Sequence, residues 1–222
     1  MNGIKVIVFD LDDTLYPEIT YVHSGFKAVA KFLAEEYRLS SSKIYKEFIL
    51  VLEKEGRGKV FDVVLKSNAI YSKTLVRKCL SVYRNHYPEI HLFPGVKKML
   101  KSLKSYRLFI VTDGNKHVQA KKIDALGLNG YVEHAYITYR YGTKNMKPSV
   151  YCFELIAKRT NTFFPEMVYV GDNPKKDFVN IRKAGMNTVR VLQGEYACLK
   201  APSDYDAEYT LNTINEIVDL LK

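Results

Sequence analysis

Between Val6 and Asp13 the chain runs Val-Ile-Val-Phe-Asp-Leu-Asp-Asp, an apolar, β-branched stretch that passes without a break into three acids within four positions. Such a run reads as a strand buried on both faces, the kind found in the middle of a parallel sheet. Carboxylates gathered at the end of a buried strand repel one another and lose hydration. A bound cation relieves both costs, so the chain has to fold in a way that brings positive charge to this strand end. On an extended backbone Asp10 and Asp12 project to the same side, about 6–7 Å apart. That is too far for a shared proton and suits the flanking of one tetrahedral group.

The texture changes after Pro17. Helical periodicity covers residues 19–37, 43–54, 60–70 and 72–85, with the turn Gly56-Arg57-Gly58-Lys59 closing the second segment. Pro94-Gly95 then opens another helix, and from there strand and helix patterns alternate. The strands are expected at 108–112, 135–138, 167–171 and 188–192, the helices at 118–126, 150–158, 176–184 and 214–221. Alternation of this kind predicts an α/β fold, a Rossmann-like parallel sheet with right-handed crossovers and helices on both faces. Residues 1–15 and 93–222 are expected to form that sheet domain, and residues 16–92 an inserted all-helical domain.

In open sheets of this class ligands bind beyond the carboxyl ends of the strands, where the strand order reverses. The polar residues that follow each apolar run are Asp10 and Asp12, Thr112 and Asp113, and Asp172 and Asp177, with Lys147 in the loop after the third strand. Together they fit phosphoryl transfer. Asp10 can attack a phosphorus in line, while Asp12 protonates the departing oxygen and later takes a proton from water. Anionic oxygens on both partners call for Mg²⁺, and Asp172 completes its site from another strand. Thr112, with Asp113 beside it, and Lys147 are the candidate phosphate-binding positions. Asp177 either supports this site, by holding a metal-bound water or Lys147, or is a plain helix N-terminal carboxylate favoured by the dipole.

Four motifs in order, Asp10-Leu11-Asp12-Asp13-Thr14, Ile110-Val111-Thr112-Asp113-Gly114, Lys147-Pro148 and Gly171-Asp172-Asn173-Pro174-Lys175-Lys176-Asp177, give the chain a resemblance to the haloacid dehalogenase superfamily. The resemblance implies that Asp10 is the nucleophile, Asp12 the acid/base, Thr112 and Lys147 the phosphate binders, and Asp172 a Mg²⁺ ligand beside Asp10 and the backbone carbonyl of Asp12. It also implies that the helical insertion is a cap. Because the dehalogenases and phosphonate-cleaving members lack an acid at the place of Asp12, it favours phosphate esters. The expected substrate is a small phosphorylated metabolite such as a sugar phosphate or nucleotide. A phosphomutase using the same aspartyl-phosphate is the alternative, followed by a non-catalytic protein binding nucleic acid or another partner. Arg57, Lys59 and Tyr16 are cap candidates for substrate contact, and Tyr21, His23, Arg84 and His86 are further ones.

Composition narrows the field. The net charge of +10 invites a nucleic-acid reading, but the lysines are scattered among the expected helices, so a solvated surface that attracts small anions is preferred. Cys79, Cys152 and Cys198 have no metal-ligand spacing and are read as reduced thiols. No apolar run approaches the ~20 residues that span a bilayer, and the expected location is the cytoplasm.

Overall fold

The computed structural model describes residues 1 and 3–222, which divide into two compact units: residues 1–18 with 91–222, and residues 19–90. The first unit is built on β1 (Val6–Phe9). The α-helices of the second, α1 (Glu18–Tyr37, whose first residue ends the first unit's opening segment), α2 (Ser41–Glu55), α3 (Val60–Ser67) and α4 (Lys73–Asn85), intervene before the chain returns as α5 (Val96–Ser102). There follow β2 (Arg107–Thr112), α6 (Lys116–Ala125), β3 (His134–Ile137), α7 (Tyr151–Thr160), β4 (Met167–Gly171), α8 (Val179–Lys183), β5 (Asn187–Val191), β6 (Tyr209–Leu211) and α9 (Ile217–Leu220).

The six strands form one sheet in the order β3-β2-β1-β4-β5-β6, and every pairing is parallel. Val6 and Val8 pack with Phe109, Val111, Met167 and Tyr169 against Phe153 and Ile156 of α7 and Ile181 of α8. Ile7 and Phe9, which alternate with them and point to the opposite face, are equally inaccessible. The sheet is therefore covered on both sides, which is why β1 carries no polar residue. The chain builds outward from β1 to β3 on one side, then crosses back to lay β4 on the other. That reversal puts the carboxyl ends of β1 and β4 at the switch point where an open sheet leaves a crevice.

The sequence pattern misses β6, a three-residue edge strand whose first two residues are exposed and so lack a buried repeat. It also overextends α8: residues 173–178 are turns, because the Asn173 carbonyl accepts from the amides of Lys176 and Asp177 and the Asp177 carboxylate accepts from the Asn173 amide. The closing helix is a 3₁₀ turn followed by the short α9.

The helical unit has a core of its own. Phe26 of α1 lies 5.2 Å from Phe48 of α2 and 5.9 Å from Phe61 of α3, and Tyr83 of α4 lies 5.9 Å from Phe61, ring centroid to centroid. Ser40 and Ser72 cap α2 and α4, accepting from the amides of Lys43 and Leu75. Gly25 lets α1 approach α4, since a Cβ there would come within 2.4 Å of the Tyr83 ring. Alanine gains about 1 kcal/mol of helix propensity, but overpacking costs about 1–3 kcal/mol. Gly25→Ala is therefore expected to be net destabilising by about 1 kcal/mol, measured as a lower urea midpoint at unchanged slope.

Candidate active site

The three acids after β1 enter three different environments. Asp10 continues the strand, its amide donating to the Val170 carbonyl at 2.8 Å, and is buried. Asp13 turns away with φ of +52°. Its carboxylate accepts from the amides of Glu18 at 2.8 Å and Glu195 at 3.2 Å, so it ties loops together. Gly194 makes that possible, because a Cβ there would lie 2.2 Å from Asp13. Asp12 accepts from three side chains: the Tyr16 hydroxyl at 2.5 Å and Lys122 Nζ at 2.7 Å on Oδ1, and Gln119 Nε2 at 2.8 Å on Oδ2.

Beside Asp10 lies a buried charge cluster. Lys147 Nζ stands 3.0 Å from Asp10 Oδ1 and 2.7 Å from Asp177 Oδ1, and donates to the Tyr169 hydroxyl at 2.9 Å. The carboxylates of Asp10, Asp172 and Asp177 each offer an oxygen within 4.8 Å of the other two. Burial pushes the Asp10 carboxyl up to about 7 against the pull of Lys147, with Asp177 adding to the rise. Burial, Asp177 and Asp10 together push Asp172 up to about 9. The same anions hold the Lys147 ammonium well above its ordinary range although burial opposes them. The cluster is thus short of positive charge. Its donors are hard carboxylate oxygens, the set that Mg²⁺ prefers, and with Asp177 engaged by Lys147 and the Asn173 amide the donors left to a cation are Asp10 and Asp172. These residues fit a divalent metal.

Asp12 is set apart electrostatically. Burial alone would raise its pKa, but the charge of Lys122 and the hydrogen bonds from Lys122, Tyr16 and Gln119 outweigh it and hold the carboxyl below its ordinary value. Gln119 also donates to Thr112 Oγ1 at 2.7 Å, so Thr112 and Asp12 share one amide.

Several expectations need correction. Tyr16, expected with the helical segment, lies in the sheet unit and is fully buried, its hydroxyl donating to Asp12. The Asp113 carboxylate accepts from Thr138 Oγ1 at 2.6 Å and from the Lys147 amide at 3.1 Å, which fixes the loop that carries Lys147. Asp177 is a partner of Lys147, not a plain helix-end carboxylate. Tyr21 packs on Tyr83 and His86, and His23 bonds the Tyr45 hydroxyl, so both serve the helical core. Arg57 and Lys59 belong to the helical unit, where Arg57 lines a cavity of about 250 Å³ with Val22, Phe26 and Phe61. Gln119, Lys122 and Lys176 are absent from the sequence-based set. Lys176 Nζ lies 3.6 Å from Asp113 and its charge lowers the Asp10 pKa. Gln119 and Lys122 carry a readable signal: they fall on the buried stripe of α6 with Val118 and Ile123, where polar residues need a reason.

Residues 7–191 match the family described as Haloacid dehalogenase-like hydrolase. The chain is 29% identical to a glyceraldehyde 3-phosphate phosphatase of Methanocaldococcus jannaschii, covering 99% of this chain and 97% of that one. It is also 29% identical to a protein of the same name from Pyrococcus furiosus, covering 100% and 95%. Among solved structures, a HAD-superfamily hydrolase of subfamily IA from Geobacter sulfurreducens superposes with a TM-score of 0.69 at 20% identity, covering 99% of this chain and 97% of that one.

Removing the buried ammonium isolates its electrostatic role. Lys147→Met is expected to destabilise the metal-free protein by about 3–5 kcal/mol near neutrality, because Asp10 and Asp177 lose the ammonium they share. Raised carboxyl pKa values mean that the native state binds more protons than the unfolded one, so stability falls as pH rises above the ordinary 3.8. The loss should therefore be larger at about pH 8 than at about pH 5, as read from chemical denaturation in chelator at both values.

Proposed function

The chain belongs to the haloacid dehalogenase-like hydrolase family and is a phosphatase within it, and from that premise we propose that it hydrolyses a small phosphate monoester through an aspartyl-phosphate on Asp10. The observation that carries this reading is the buried arrangement of Asp10 between Lys147 and the carboxylates of Asp172 and Asp177. A nucleophilic carboxylate must be ionised, and Lys147 supplies the charge that favours ionisation in a site whose burial opposes it.

In the first step an oxygen of Asp10 bonds to phosphorus, the bond from phosphorus to the ester oxygen breaks, and Asp12 gives that oxygen a proton. In the second step water attacks the same phosphorus, Asp12 takes the water proton, and the acyl-phosphate bond breaks to leave inorganic phosphate and the Asp10 carboxylate. Thr112 and Lys147 hold the phosphoryl oxygens and offset their developing charge. Asp10, Asp172 and the backbone carbonyl of Asp12 would hold Mg²⁺, which when bound supplies the charge that lets two anions meet. Selection of the ester is assigned to the helical unit as a cap, with Arg57 and Lys59 as its basic candidates. The names of the relatives put triose phosphates first among substrates.

The test is a panel of glyceraldehyde 3-phosphate, phosphoglycolate, sugar phosphates, nucleoside monophosphates and 4-nitrophenyl phosphate, assayed for phosphate release with Mg²⁺. Asp10→Asn is expected to lower kcat by more than about 1,000-fold while leaving the circular dichroism spectrum unchanged. Chelation is expected to remove activity and Mg²⁺ to restore it. Turnover by Asp10→Asn, or undiminished turnover in chelator, would contradict the reading.

A further inference from the structure

Resting on the phosphatase reading, we propose that Lys122 and Gln119 are positioning residues for Asp12, and that α6 sets the direction in which Asp12 delivers its proton. Both side chains are almost fully buried, three positions apart on one face of the helix. A buried ammonium is expensive unless it is paired. Lys122 is paired at 2.7 Å with Asp12 and stands 3.8 Å from Glu18, so its closest charge partner is the residue assigned to acid/base work.

A carboxylate offers about four acceptor positions. Tyr16 and Lys122 occupy two on Oδ1 and Gln119 one on Oδ2, which leaves about one for the proton that moves between Asp12 and the ester or water oxygen. The clamp thus fixes which lone pair works and where it points. Gln119 has two amide hydrogens, and both are spent: one on Asp12, the other on Thr112 at 2.7 Å. The helix that orients the acid/base therefore orients the phosphate-binding hydroxyl as well. Gly114, at φ of +133°, makes room for this, since a Cβ there would lie 3.2 Å from the Gln119 side chain. Nothing of this kind is needed for the fold alone, which an apolar pair at the same two positions would serve with less desolvation.

A loss of Asp12 alignment has a signature that mere destabilisation lacks. Departure of an alkoxide needs a proton, whereas departure of 4-nitrophenolate hardly does, and general acid catalysis contributes about 10²–10⁴-fold. The experiment compares kcat and KM of the wild type, Lys122→Met, Lys122→Arg and Gln119→Leu on glyceraldehyde 3-phosphate and on 4-nitrophenyl phosphate. Lys122→Met is expected to lose about 10–100-fold in kcat on the alkyl ester, with KM within about threefold, and its loss there should exceed its loss on the aryl ester at least about tenfold. Lys122→Arg, which keeps a charged donor, should recover most of the alkyl-ester rate. Equal losses on both esters, or no loss on the alkyl ester, overturns the proposal. If Lys122→Met fails to fold by circular dichroism, Gln119→Leu is judged by the same ratio. A wild type that releases phosphate from no ester of the panel defeats the phosphatase reading itself. A wild type active on both, with variants whose ratio is unmoved, defeats only the clamp.

Discussion

The ammonium of Lys147, buried between Asp10 and Asp177, is the interaction on which the site depends. Burial opposes charge on each partner, the ion pairs offset that cost, and the rest of the neighbourhood serves to hold the lysine there. Asp113 accepts from its amide, Thr138 steadies Asp113, Tyr169 meets its Nζ, and the Asn173 amide holds Asp177. Gly171 is part of the same device, since a Cβ at that position would come within 2.6 Å of the Asp177 carboxylate.

The fold supplies what local chemistry cannot. Lys147 and Asp177 are far from Asp10 in sequence, and they meet because β4 crosses back to pair with β1 at the point where the strand order reverses. Parallel pairing puts every carboxyl end on one edge, so residues that follow strands converge whatever their separation along the chain. Asp13 extends this economy to the backbone: with one carboxylate it binds the amide where the helical segment begins and the amide after Gly194.

Much of this was legible from residues alone, and the failures have physical causes. Acids directly after buried strands have no packing rationale, so Asp10, Asp12 and Asp172 stand out by contrast with what precedes them. Tyr16 does not, because an aromatic beside an acidic turn fits a pocket wall and a core equally well until its hydroxyl has a partner. Asp113 misleads for a related reason: its position says that it is near phosphate, but only its partners say that its charge is spent on a loop. Gln119 and Lys122 leave a signal on the face of α6 that carries Val118 and Ile123, but a weak one, because lysines are scattered along most helices of this chain and one more reads as solvated until the helix is placed against the sheet. The edge strand β6 is too short and too exposed to carry a period.

Asp10 and Asp12 also show how one strand end supports two carboxylates in opposite electrostatic settings. Their sequence environments are alike, and the difference comes from what each faces. Asp10 is raised by burial first and by Asp177, with which it shares its cation, second. Asp12 has the closer ion pair with Lys122 and two neutral donors besides, so its carboxyl is lowered. The Asp10 side is therefore the one that gains from added positive charge, whether from a divalent ion or from Lys176. The Asp12 side is already balanced, and a proton arriving there must compete with Lys122 and Gln119 for the same oxygens.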